Sequence, residues 1–323
     1  MRNDPQTTTT PSATTRARSL VGWVLGPATE DVPRHQAVGA TILRIMLGFL
    51  WLWNINWKVP PDFGEAGKQG LYKFTAYAVS DPVFPPYSFV VEKVVLPNLG
   101  IFGWGVILAE TALAVLILSG AWIRAAALLG IGQSLAIGLS VAYAPNEWPW
   151  AYLLMLGAHI ALLTSSSGRY LAVDGIRAGL SDGRTLSRLA GGTAVVVGLY
   201  SVVRSFGDPL AANGPQIGTS SLEVGLGGFN LVGGLVIAIV GGLLLASERT
   251  GAATAYGAVG LALVAALLMR VQAGFTDRFL GGGGTSTALL LTIALVAFVW
   301  ARALTSAVTE PTPAPTHQHQ ERL

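Results

Sequence analysis

Four polar residues stand inside long apolar stretches of this 323-residue chain, one in each of the first four stretches: Arg44, Glu110, Gln133 and His159. Charge in such surroundings is costly, so each is a candidate for function. At a rise of about 1.5 Å per helical residue, Arg44 lies roughly 20 Å from the Trp57 end of its stretch. By the same rise, Glu110, Gln133 and His159 lie about 15–16 Å from Leu99, Tyr143 and Trp148. All four fall in one layer near the middle of a bilayer. The economical reading is a buried cluster in which Arg44 pairs with Glu110 while His159 and Gln133 complete the hydrogen bonds. A carboxylate and an imidazole at that depth suit proton exchange with a buried ligand. The alternative is a polar clamp that only fixes helix packing.

Two stripes join this layer to the outer surface. Arg44, Trp51, Asn54 and Lys58 recur at spacings of seven, three and four, which places them on one helical face. Trp148, Tyr152, Met155 and His159 do the same on the fourth stretch. Glu110, His159 and Arg44 are therefore the catalytic candidates. Trp51, Asn54, Lys58, Gln133 and Tyr152 are the residues that could line a slot for a flat amphipathic molecule such as a quinone head group, with Lys58 also attracting an anionic donor from outside. The competing explanation for the aromatic residues is an interfacial belt, since Trp51, Trp53, Trp57, Trp104, Trp148 and Trp150 all sit near the outer ends of stretches.

The elements that must position these residues follow from composition. The chain is 52% hydrophobic and only 11% charged, with 40 Gly, and its mean hydropathy is +0.56. Soluble domains carry about a quarter charged residues, so a membrane protein is expected. Eight continuous apolar runs are read: 37–57, 99–118, 121–143, 148–164, 189–203, 224–246, 251–269 and 285–304. They are rich in Ala and Leu and do not alternate, so helices rather than strands are expected. The fold class is all-α: a polytopic membrane protein of about eight transmembrane helices arranged as two four-helix bundles.

Residues 1–36 form a disordered or interfacial N-terminus, with Trp23 as an anchor; 37–180 and 181–307 are the two bundles; 308–323 is a disordered tail. The connection 58–97 is too long for a simple turn. Within it Leu71, Phe74, Tyr77 and Ala78 share an apolar face, which fits a helix on the membrane surface. The second half is Gly-rich, with spacings for close backbone contact. Its charges Arg204, Asp208, Glu223, Arg270, Asp277 and Arg278 gather at the outer edge, where paired anchoring is the plain reading. More Arg and Lys fall on the N-terminal side of the membrane than on the other, so both termini are expected in the cytoplasm of a bacterial cell.

The absence of Cys excludes disulfides, Cys-ligated zinc and iron–sulfur clusters held by this chain alone. A bis-histidine haem needs a second intramembrane His beside His159 and is not expected, and His317 and His319 in the polar tail are not read as a metal site. The Gly281–Gly284 run is a turn and not a phosphate loop, and nothing points to nucleic acid.

The stretch Val95–Gly130, VLPNLGIFGWGVILAETALAVLILSGAWIRAAALLG, carries Pro97-Asn98, Glu110, Gly120 and Arg124. Together with Leu43-Arg44, Gly48, Lys58, Gly168-Arg169-Tyr170 and Asp174, it resembles the DoxX/DoxD family. The resemblance covers residues 38–178. It implies a four-helix bundle in a membrane redox system that passes electrons to quinone, as in the small membrane subunit of thiosulfate:quinone oxidoreductase. Three functions are thus open: a quinone-reactive oxidoreductase subunit, a non-enzymatic scaffold or assembly subunit that docks a partner protein on 58–97, and, last, a small-solute transporter. The lipid bilayer is the one partner all three share, and homo-oligomerisation is left open.

Overall fold

The computed structural model describes residues 13–219, 222–272 and 278–309, with twelve α-helices among them. In chain order these are α1 (Ala13–Leu25), α2 (Arg34–Asn54), α3 (Gly70–Ser80), α4 (Pro85–Val90), α5 (Leu99–Ser119), α6 (Ile123–Val141), α7 (Pro149–Thr164), α8 (Val173–Arg177), α9 (Arg184–Arg204), α10 (Leu231–Thr250), α11 (Ala252–Val271) and α12 (Gly284–Thr309). A π-helical turn over 91–95 and a 3-10 turn over 96–98 link α4 to α5. Among the described residues, seven helices are long and apolar enough to cross a membrane; the fourth apolar run forms α7, which has 16 residues. The chain is an all-α, multi-pass membrane protein.

Several boundaries differ from those read in the sequence. Residues 13–25, inside the segment expected to be disordered, are helical, and the segment that follows is tied down: Arg124 Nη1 on α6 donates to the carbonyls of Trp23 and Pro27. The fifth span is longer than its apolar core and runs from Arg184. The sixth is shorter, because 224–227 belong to an antiparallel hairpin of β1 (Gln216–Thr219) and β2 (Leu222–Gly227). Gly225, Gly227 and Gly228 have φ of +68°, +109° and +79°, which L side chains avoid, so the helix waits for the Asn230 cap, whose side chain accepts from Gly233 N at 3.0 Å. His317, His319 and Asp277 lie outside the described residues.

The Arg-rich ends of the spans meet in a hub. Gly120 is left-handed (φ +68°) and closes α5 with Ala121 N on Leu116 O at 2.9 Å. The fully buried Asp174 then accepts from Trp122 N, Ile123 N, Ala28 N and Arg177 Nη1 at 3.1, 3.2, 3.4 and 2.7 Å. One carboxylate thereby caps α6 and fastens the N-terminal segment to α8. In the second half α9 and α10 approach at backbone distance: a Cβ on Gly198 would lie 2.5 Å from Gly234 O, and one on Gly241 would lie 2.5 Å from Gly191 O. Seven residues separate the glycines on each helix, so they form one seam. α12 is the most enclosed span and packs on α5, α9 and α11, joining the halves.

Candidate functional site

Glu110 meets Lys58, not Arg44. The Lys58 ammonium lies 2.8 Å from Glu110 Oε2, and both side chains are almost wholly buried. α2 ends at Asn54, and the chain turns so that Lys58 folds back over that end and donates to Asn54 O at 2.8 Å. Asn54 Nδ2 donates to Glu110 Oε1 at 3.2 Å, while Trp57 Nε1 donates to Asn54 Oδ1 at 3.2 Å. The ammonium also stands 3.8 Å from the centre of the Trp57 ring. Lys58 is therefore a buried partner and not an exposed attractor of anions. Each charge in this layer has an opposite charge and a dipole beside it, the condition under which an ion pair persists within apolar surroundings.

The pair faces a cavity of about 710 Å³ inside the first bundle. Leu50 and Trp53 of α2, Phe102 and Val106 of α5, and Ala136 and Ile137 of α6 supply apolar wall, and Met155 of α7 closes it on another side. Gln133 lines it, and its side-chain amide makes no hydrogen bond to any described residue. α3 roofs the cavity: Leu71, Thr75 and Ala78 are buried and Phe74 faces in, so the apolar face of the helix caps the bundle. Tyr152 lines the cavity and donates to Glu147, which also lines it. Glu147 was missing from the sequence-based set; it precedes α7 in a turn, where an acidic residue carries no signal.

Arg44, His159 and Trp51 belong elsewhere. The Arg44 guanidinium donates to the carbonyls of Ile117, Leu118 and Leu171 at 2.7, 2.9 and 2.7 Å. It satisfies the open end of α5, two helical turns from Glu110. The expected Arg44–Glu110 pair is thus replaced by two separate charge centres. Trp51 Nε1 donates to His159 Nε2 at 2.8 Å. Indole is only a donor, so Nδ1 carries the imidazole proton and gives it to Met155 O at 2.7 Å. Both residues are fully buried and neither lines the cavity. His159 also fills the space left by Gly130, whose Cβ would fall 2.1 Å from His159 Cδ2. It is a packed core histidine with both nitrogens engaged.

Of the sequence-based candidates, Asn54, Lys58, Glu110, Gln133 and Tyr152 come together around one cavity, while Arg44, Trp51 and His159 do not. Among the described residues no group of three or more His, Asp or Glu could hold a metal ion. No protein-family model, no curated protein and no solved structure matches this chain.

Proposed function

We propose that the chain is the quinone-reactive membrane subunit of a redox system. The observation that supports this reading is the cavity within the bundle: apolar walls fit a flat ring and its tail, and one polar corner offers Lys58, Glu110, Asn54 and the unbonded Gln133 amide. Gln133 and the Lys58 ammonium are suited to donate to a quinone carbonyl. Glu110 is the group able to pass a proton to the reduced ring, and Lys58 holds its charge between turnovers. The protons are what this chain's residues supply; the electrons come from a donor or partner subunit of redox class. That partner would dock on the capping segment 58–97, where Phe84 and Phe89 are exposed. The Arg-rich hub lies on the cytoplasmic side and the cap on the outer side of a bacterial membrane in this reading.

The test is direct binding. Purified protein in nanodiscs should bind a short-chain quinone saturably, and Gln133→Leu, which keeps the fold and removes one hydrogen-bond donor, should weaken binding about tenfold. Calorimetry or tryptophan quenching reads both. Unsaturable uptake, equal in the variant, would leave only partitioning into lipid and remove the proposal.

A further inference from the structure

A second concavity lies on the outside of the helical body, on another face of α5 and with no lining residue in common with the cavity just described. It is a groove of about 510 Å³ formed by α5, α11 and α12 and lined by Leu108, Val115, Val259, Leu263, Leu295 and Phe298, among others. Apart from Thr111 its lining residues are apolar. The groove follows the helix axes, since Leu108 and Val115 are two turns apart on α5, a run of about 10 Å.

One end carries a cation. Trp104 stands one turn beyond Leu108 on α5, and Arg270 stands two turns beyond Leu263 on α11. The two meet beyond that end of the groove, with the guanidinium carbon 4.9 Å from the Trp104 ring centre. Arg270 has no carboxylate and no hydrogen-bond acceptor among the described residues, and its Nη2 is buried without a partner. This differs from the paired anchoring expected there. Arg278, at the same end, donates to Gly282 O and Asn213 Oδ1.

A largely apolar slot with a Trp at its mouth and a guanidinium that no carboxylate among the described residues neutralises has the chemistry of a phospholipid: chain below, phosphate above. We infer that this groove holds one anionic phospholipid, an acyl chain along α5, α11 and α12 and the phosphate on Arg270. A second copy of the chain would fill the apolar wall but leave Arg270 uncompensated, so charge complementarity selects the lipid. The site is independent of the cavity that faces Lys58 and Glu110.

Native mass spectrometry of the full chain, extracted in neutral detergent and offered phosphatidylglycerol, tests this. The expected spectrum shows one retained phosphatidylglycerol, with the lipid-bound fraction about fivefold lower in Arg270→Gln and unchanged in Arg204→Gln. Equal retention in Arg270→Gln, equal loss in Arg204→Gln, or a lipid-free dimer as the main species would overturn it. Should Arg270→Gln fail to fold, the wild-type chain decides alone: offered phosphatidylglycerol and phosphatidylcholine in equal amounts, it should retain the anionic lipid, and equal retention of both contradicts the site.

Discussion

Lys58→Met should destabilise the folded chain by about 3–5 kcal/mol, because it leaves the Glu110 carboxylate buried without its counter-ion. Glu110→Leu alone should cost a similar amount by stranding the ammonium. The double substitution Lys58→Met with Glu110→Leu should recover most of that loss, since two apolar groups need neither solvation nor pairing. Unfolding by denaturing detergent, followed by circular dichroism, measures the cycle; the coupling between the two sites should exceed 1.4 kcal/mol, a tenfold change in the equilibrium. Near-additive losses would mean that the two charges do not interact in the membrane. The double variant is also the informative one for function. It should fold and yet fail to bind quinone, which separates the contribution of the pair to the ligand from its contribution to packing.

Arg44→Ala should be the most damaging substitution in the hub. It takes the guanidinium away from the carbonyls of Leu118 and Leu171, while Ile117 O keeps Gly120 N at 3.2 Å. Two buried acceptors left without that donor place the loss at about 2–5 kcal/mol. Arg44→Lys should restore only part of it, because a single ammonium cannot span carbonyls that a planar guanidinium reaches together. Thermal unfolding of detergent-solubilised protein checks both. A second readout separates this role from catalysis: whatever fraction of Arg44→Lys folds should bind quinone with unchanged affinity, whereas an Arg44 that belonged to the ligand site would shift it.

Helix type and number were readable because long apolar runs without alternation leave the backbone no other way to satisfy itself in lipid. Depth along each helix was readable only in part: of the layer Arg44, Glu110, Gln133 and His159, Glu110 and Gln133 line the cavity, where Asn54 and Lys58 of the outward stripe join them. Arg44 and Glu110 do not share a depth after all: Asn54 is the α2 residue beside Glu110, and Arg44, ten residues further in, reaches the carbonyls that end α5, an offset between helices that a hydropathy pattern does not show. Rotation was not readable. Lys58 appeared as an outward-facing charge because its position lies past the last apolar turn; only the bend after Asn54 turns it inward. Tertiary contact decides such cases, and the Trp51–His159 bond is another. A lone intramembrane His looks chemical in sequence, and it is a packing residue here because Trp51 and Met155 occupy both of its nitrogens. The hairpin at 216–227 escaped for a different reason: its apolar residues run into those of α10, and only the glycines with positive φ mark the break.

Of the residues on which a family resemblance is read in the sequence, several fall into two groups in space. Gly120, Arg124, Gly168, Arg169 and Asp174 build or adjoin the Arg-rich hub, with Arg44 bound to it, whereas Glu110 and Lys58 sit at the cavity. The first group accounts for a bundle; the second is what the quinone reading needs.

Photolabelling places the ligand most directly. The full chain in lipid nanodiscs is irradiated with an azido-quinone, and the modified peptides are mapped. Label is expected in 50–58, 102–110 and 133–155, suppressed by excess unlabelled quinone and absent from the double Lys58→Met, Glu110→Leu variant. Label confined to the lipid-facing surfaces of α9 to α12, or label in the cavity peptides that excess quinone does not compete away, would contradict a quinone bound beside Lys58 and Glu110.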